Sequence, residues 1–192
     1  ILAAETSPPT TGTQVQHQNA ASIARGEPAA PVTGLGQEFE GLLATVKRMV
    51  AAERTDREAL KTFYAARENE PLWVTSTGYT AAAEAARAEL ARADEWGLDQ
   101  SAFRTGDLST ARELTPAQRA EADVALSLAV LRYARHARGG RIDPPSLSRN
   151  LDRQPLTLEP EKVIADATVT DDFGAYLRSL HPQHPQFERL RQ

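Results

Sequence analysis

The stretch LTPAQRAEADVALSLAVLRYARHARGGRIDPP, residues 114–145, contains the signals that decide the fold. Thr115 is placed to cap a helix, Pro116 suits the first helical position, and Gln118 completes a capping box. Within the same stretch, two glycines and then two prolines come after the charged residues at 132–138, and they indicate where the helix stops. The sequence therefore predicts one long helix over about residues 116–138.

The middle of this predicted helix, residues 124–131, is apolar on nearly every face. A helix at a protein surface has one apolar stripe, whereas a helix packed from several sides is apolar all round. We therefore expect this helix to lie at the centre of the protein. The remaining chain has helical periodicity, capping residues and proline breaks, and no sustained strand alternation. The predicted fold class is all-α, an irregular multi-helix bundle around a long central helix.

Composition divides the 192-residue chain into two parts. Residues 1–36 are rich in Pro, Thr and Gln and lack periodicity, so we expect a disordered or extended tail or linker there. Residues 37–192 carry the helical pattern and predict a single helical domain. The last predicted helix has no stop signal before Gln192, and we expect the native domain to continue beyond this residue.

Charge and residue usage exclude several function classes. The net charge is −4 and the pI is about 5.6, whereas nucleic-acid surfaces need clustered Lys and Arg. No apolar run is long enough to cross a bilayer. The absence of cysteine excludes disulfides, thiolate metal sites and cysteine nucleophiles within this chain. We expect no nucleic-acid partner, no membrane span and no cofactor.

His181 and His184 are the residues most suggestive of a metal site. Two imidazoles three residues apart could chelate a metal if they shared one face of a helix. The prolines at 182 and 185 oppose a regular helix there, and the sequence positions no third ligand. A capped turn between helices is the preferred interpretation, and no metal site is expected.

The acidic pairs Glu68/Glu70 and Asp171/Asp172 suggest general acid and base chemistry of the kind that glycosidases use. Both pairs lie at predicted helix ends, where carboxylates commonly cap the helix or remain solvated. We assign no catalytic residue to this chain. A carboxylate-dependent helical hydrolase is kept as an alternative function.

Four residues are candidates for ligand binding: Arg141, Asp143, Trp73 and Tyr64. Arg141 could hold a carboxylate or phosphate, or it could pair with a buried acid while Asp143 fixes a turn before proline. The rings of Trp73 and Tyr64 could stack on a sugar. Alternatively, they are buried anchors whose polar atoms are hydrogen-bonded. The sequence leaves both alternatives open at each pair.

Four segments occur in a fixed order along the chain: FYAARENEPLWV at 63–74, WGLD at 96–99, GRIDP at 140–144 and LHPQHPQFERL at 180–190. In their order and spacing over about residues 60–192, they resemble the scaffold domain of YcbB-like murein L,D-transpeptidases. Gln100 stands where the family often has Pro, and Phe103 and Phe187 stand where it often has Tyr.

This resemblance implies part of an exported bacterial enzyme that forms 3-3 peptidoglycan crosslinks. In such enzymes a separate YkuD-type domain carries the nucleophile in a Ser/Thr-His-Gly-Cys motif, which this chain lacks. The resemblance therefore implies a non-catalytic scaffold domain in the periplasm, with its own catalytic domain as partner and peptidoglycan or envelope proteins as further candidates. A start without Met fits a signal peptide that was removed upstream. A stand-alone envelope binding or adaptor module is the first alternative.

Overall fold

The computed structural model describes residues 34–45, 49–108, 113–142, 144–148, 150 and 155–191. Within these ranges the protein is all-α, as predicted, and its single extended pairing is an isolated antiparallel bridge between Val74 and Tyr79. The tail predicted over residues 1–36 lies almost entirely outside the described residues. The helices are α1 (Gly34–Leu42), α2 (Ala51–Ala66), α3 (Ala81–Leu90), α4 (Pro116–Ala137), α5 (Pro144–Leu147), α6 (Pro160–Val169), α7 (Phe173–Ser179) and α8 (Pro185–Arg191).

The long helix α4 is the centre of the bundle, as its apolar sequence predicts. Its N-terminus carries the full capping box, with Thr115 accepting from the Gln118 amide and the Gln118 side chain accepting from the Thr115 amide. Helices α1, α2, α3 and α6 all pack against it. Residues on every side of α4 are buried, among them Leu126, Val130 and Tyr133 at 0% exposure. Burial from several directions makes α4 the element that the other helices share.

Two helix starts differ from the sequence pattern. Thr55 and Glu58 have the spacing of a capping box, which predicts a helix start at Thr55. This prediction is wrong, because α2 already begins at Ala51 and Thr55 lies inside it, donating to the Ala51 carbonyl. The pattern also predicts Asp171 as the cap of the next-to-last helix, whereas Asp172 caps α7 by accepting from the Ala175 amide. Neighbouring residues of similar capping chemistry make such ends difficult to predict within two residues.

The sequence predicts an alanine-rich helix that is capped by Thr80, runs through Trp96 and ends at a left-handed Gly97. In the structure this helix is interrupted. Helix α3 ends at Leu90, and a separate 3-10 turn covers Ala93–Trp96. The predicted cap at Thr80 and the left-handed Gly97 are both present, with a φ of 72° at the glycine. A second 3-10 turn, Gln100–Phe103, follows at once. No helix in the described ranges is both long and apolar enough to cross a membrane.

Gly140, in the segment after α4, is required by close packing. A Cβ atom built at this position would lie 2.6 Å from Arg135 Cγ, 2.7 Å from Thr157 Cγ2 and 3.0 Å from the Arg135 carbonyl oxygen. We expect Gly140→Ala to lower the free energy of unfolding by about 2 kcal/mol, since part of the overlap is with backbone.

The matched control for this substitution is Gly41→Ala in α1, where the added methyl meets no described atom within 4 Å apart from its chain neighbours and the backbone of its own helix. Alanine is the better helix former, so we expect this variant to be neutral or stabilised by up to about 1 kcal/mol. Urea denaturation followed by circular dichroism measures both. Equal effects of the two substitutions would contradict the packing at Gly140.

Candidate functional site

Tyr64 and Trp73 lie in the core, where they share two polar partners on α4. The Trp73 indole Nε1 donates to Ser127 Oγ at 2.8 Å, and the Tyr64 hydroxyl lies 2.7 Å from the same oxygen. The Tyr64 hydroxyl also donates to Asp123 Oδ1 at 2.5 Å. Trp73 is 0% and Tyr64 1% exposed. Both rings are therefore buried anchors with satisfied polar atoms.

Stacking on a sugar would require a ring face open to solvent, and neither ring has one. The binding role considered for Trp73 and Tyr64 is thus corrected in favour of the core alternative. The physical reason is a local turn of the chain. Glu68 and Asn69 have φ values of 55° and 61°, which turn the chain sharply after α2. This turn returns residues 71–74 to the side of α4, where burial is greatest.

Asp123 is the polar centre of this core. Its carboxylate accepts the backbone amides of Leu72 at 3.0 Å, Trp73 at 2.6 Å and Val74 at 2.9 Å, in addition to the Tyr64 hydroxyl. Burial raises the pKa of Asp123 above its ordinary value, although these four donors oppose the shift. The carboxylate replaces the sheet partner that an extended segment would otherwise need. It fixes residues 72–74 against α4 and leaves no free oxygen for chemistry.

Of the other predicted binding residues, Arg141 is exposed at the end of the segment that follows α4. No hydrogen bond or ion pair joins its side chain to another described residue. Asp143 lies outside the described residues, so its predicted turn stays a prediction. Arg141 is exposed whereas Tyr64 and Trp73 are buried, so these three candidates do not form one site.

A second buried polar cluster joins α3, α4 and α7. Glu89 is 2% exposed; it accepts from the Trp96 indole Nε1 at 3.1 Å and from Arg178 at 2.9 Å. The His181 ring stacks on Trp96 with centroids 4.2 Å apart, and its Nε2 lies 2.7 Å from the Tyr133 hydroxyl. A buried carboxylate with a cation and an indole donor is electrically satisfied. This cluster holds α7 and the 3-10 turn at Trp96 in place.

His181 therefore has a packing role, and no group of three or more potential metal ligands is found among the described residues. Burial lowers the pKa of His181 from 6.5 to about 4, and the positive charge of Arg191 adds to the shift. The unfolded chain consequently binds more protons than the folded chain between these two pH values. The stabilising contribution of neutral His181 is complete above pH 6.5 and is lost as the pH falls toward 4.

We expect wild-type protein to lose on the order of 1 to 2 kcal/mol of unfolding free energy relative to His181→Gln as the pH falls from 6.5 to 4, because solvent screening reduces the full effect of the shift. Chemical denaturation at a series of pH values measures both proteins. Burial also lowers the pKa of His136 and raises those of Asp56 and Asp123, but these groups are present in both proteins and cancel in the difference. Parallel stability curves would contradict the assignment.

Two open clefts lie on the surface beside these clusters. The first, which we call the α3 cleft, has a volume of about 310 Å³ and lies between α3 and the chain that follows the second 3-10 turn. Its polar side chains include two arginines, an amide and a hydroxyl, above an apolar floor. The residues that line it are Arg87, Leu90, Ala91, Gln100, Phe103, Arg104 and Thr105.

The second cleft, the Trp96 groove, has a volume of about 280 Å³ and lies between the first 3-10 turn and α8. The Arg191 guanidinium lies 4.3 Å from the Trp96 ring centroid and so attaches α8 to this turn. Leu190 is 87% exposed at its edge. The residues that line it are Asp94, Glu95, Trp96, Gly97, Phe187, Leu190 and Arg191.

Comparison with known protein families decides what kind of domain carries these features. Residues 58–192 match the family described as the scaffold domain. The chain belongs to the scaffold-domain family. No curated protein and no solved structure matches the chain at a significant level.

In this scaffold domain, the segments used to recognise the family meet inside the fold. The first segment supplies Tyr64 and Trp73 to the Asp123 cluster, and the second and fourth meet where Trp96 stacks on His181. The third contains Gly140, whose lack of a side chain permits contact with Arg135. The family pattern therefore largely records how the scaffold domain holds its own helices together.

Sequence reasoning missed both clefts of the scaffold domain. The α3 cleft joins Arg87 and Arg104, which are separated by two short turns and lie in no recognised motif. The one local signal is that a polar, glycine-containing connection follows the WGLD segment. Nothing in that signal indicates which helix the connection lies against.

Proposed function

We propose that this chain is the non-catalytic scaffold domain of a periplasmic L,D-transpeptidase that makes 3-3 crosslinks in peptidoglycan. The observation that carries the proposal is the match of residues 58–192 to the scaffold-domain family. The sequence adds that the chain contains no cysteine, so the thiolate that this acyl transfer needs must come from another domain. The physical role is to position that catalytic domain.

The interior supports a role as a rigid platform. Its buried carboxylates have partners within the domain. Asp123 accepts hydrogen bonds from residues of α2 and the chain after it, Glu89 forms an ion pair with Arg178, and Asp56 forms one with Arg135 at 2.6 Å. Satisfied polar clusters of this kind fix one arrangement of helices. A platform with one arrangement can hold a second domain in a constant orientation.

The clefts give no support to the carboxylate-dependent hydrolase. A general acid needs a raised pKa and a position in a cleft that substrate can enter. Asp56 and Asp123 have raised pKa values, but both are buried and neither lines the α3 cleft or the Trp96 groove. Glu95 lines the Trp96 groove, and Arg92 lowers its pKa.

The proposal predicts that the purified chain releases no D-alanine from muropeptides with tetrapeptide stems. Incubation followed by chromatography and mass spectrometry of the products measures this release. A parallel reaction with an active L,D-transpeptidase shows that the substrate is competent. Release of D-alanine by the chain above the buffer control would contradict a non-catalytic role.

A further inference from the structure

The α3 cleft has the chemistry of a site for an anionic group. Three contacts hold Arg87 in place: its guanidinium lies 4.3 Å from the Tyr79 ring centroid, Nη1 donates to Glu84 at 3.0 Å, and Nε donates to Thr105 Oγ1 at 3.3 Å. Nη2 has no hydrogen-bond partner among the described residues. A guanidinium held in this way loses little side-chain entropy when it binds a ligand.

Arg104 supplies a second positive charge at the same cleft. Its side chain is exposed and makes no hydrogen bond or ion pair with another residue in the described ranges. Glu84 forms an ion pair with Arg87, whereas no acid forms one with Arg104 among the described residues, so Arg104 brings a positive charge that no ion pair neutralises there. A carboxylate matches this charge and the planar donors of both guanidinium groups.

The floor and one wall of the cleft indicate what accompanies the carboxylate. Leu90 and Phe103 line the floor, and because they are 2% and 3% exposed they form a closed apolar base to the cleft. The wall is the chain that begins at Arg104, where the backbone is extended, and continues without helix or strand structure to Leu108. The backbone groups of Thr105 and the amide of Gly106 have no hydrogen-bond partner within the described part of the chain.

Backbone groups without hydrogen-bond partners can pair with the backbone of an extended peptide that lies alongside them. Gln100 adds a side-chain acceptor, since its amide nitrogen donates to the Ala91 carbonyl and its oxygen has no partner in the described ranges. A volume of about 310 Å³ is at the small end of ligand sites and suits a few small residues.

We propose that the α3 cleft binds a short extended peptide of small residues whose carboxylate contacts Arg87 and Arg104 and whose backbone pairs with Thr105 and Gly106. The carboxylate belongs either to the peptide C-terminus or to an acidic side chain. This inference does not depend on the proposed function, because it uses the geometry of the cleft alone.

The test is a titration of the isotope-labelled 192-residue chain, followed by amide chemical shifts in NMR. The three probes are N-acetyl-trialanine with a free carboxylate, the same peptide as its amide, and an amidated N-acetyl-tripeptide with a central glutamate. We expect dissociation constants on the order of 1 mM for a binding peptide, with the largest shifts at the Thr105 and Gly106 amides.

The probes separate the two sources of the carboxylate. Binding of the free trialanine and not of its amide assigns the site to a peptide C-terminus. Binding of the glutamate peptide alone assigns it to an acidic side chain. Failure of all three probes to shift these amides at about 10 mM would overturn the proposal.

Arg104→Gln is the test variant, because this exposed and unpaired side chain has no structural partner to lose among the described residues. We expect it to weaken peptide binding about tenfold. The matched control is Arg54→Gln, which removes the same charge from an exposed position on α2. Equal weakening by both variants would mean that the effect is general electrostatics, and it would overturn the assignment to this cleft.

Discussion

Replacement of Asp123 by alanine is expected to lower the free energy of unfolding by about 4 kcal/mol. The substitution removes the acceptor of three backbone amides and the Tyr64 hydroxyl, all of them in the interior. Each buried donor left without an acceptor costs about 1 to 3 kcal/mol, and partial access of water reduces the sum. Urea denaturation followed by circular dichroism measures the loss.

The control for this prediction is Asp171→Ala, which removes the same side chain from an exposed position before α7. We expect a change of less than about 0.5 kcal/mol there. Asp123→Asn tests the mechanism further, because the amide keeps one acceptor oxygen and should fall between the wild type and the alanine variant. A loss below about 1 kcal/mol for Asp123→Ala would mean that the residues at 72–74 are not held by this carboxylate.

Replacement of Trp73 by alanine is expected to cost about 4 kcal/mol. Trp73 is completely buried, its ring centroid lies 5.4 Å from that of Phe173, and its indole donates to Ser127, so truncation leaves a cavity and removes one of the two hydrogen bonds at Ser127 Oγ. Trp73→Phe keeps most of the volume and loses the hydrogen bond, and we expect it to cost about 1 to 2 kcal/mol. The same denaturation measurement applies.

The size of the stability loss in Trp73→Ala distinguishes a core role of Trp73 from a ligand-binding role. A side chain kept for sugar stacking would be dispensable for folding, and Trp73→Ala would then leave the stability almost unchanged. Trp96→Ala is a useful comparison, because this ring is only half-buried. We expect its loss to be smaller than that of Trp73. The reverse order would contradict the placement of the two rings.

The sequence was sufficient to predict the elements whose signals are local. Helix α4 has a cap, a proline start, a glycine stop and an apolar middle within one stretch, and it forms as predicted. Thr80 and Gly97 are also local signals: Thr80 caps the start of α3, and Gly97 has the predicted left-handed conformation, although it ends the 3-10 turn and not α3. Such features depend on a few neighbouring residues, so the tertiary structure has little opportunity to override them.

The interactions between distant segments could not be predicted in this way. Asp123 is about fifty residues from the amides that it accepts, and its sequence neighbourhood is that of an ordinary helix. The α3 cleft likewise depends on which helix the chain after Phe103 lies against. Capping at Asp172 in place of Asp171 shows a smaller limit, since two adjacent aspartates carry the same local signal. In each case the arrangement of the folded chain, and not the residue type, decides which groups interact.

The central claim is that this scaffold domain serves a transpeptidase whose catalytic cysteine lies in another part of the same polypeptide. The most direct test is the intact mass and peptide map of the native protein, recovered from its source cells with an antibody to this domain. The proposal predicts a polypeptide much heavier than 20.9 kDa that contains a Ser/Thr-His-Gly-Cys sequence after residue 192. A native product near 20.9 kDa would contradict it and would favour a stand-alone binding module.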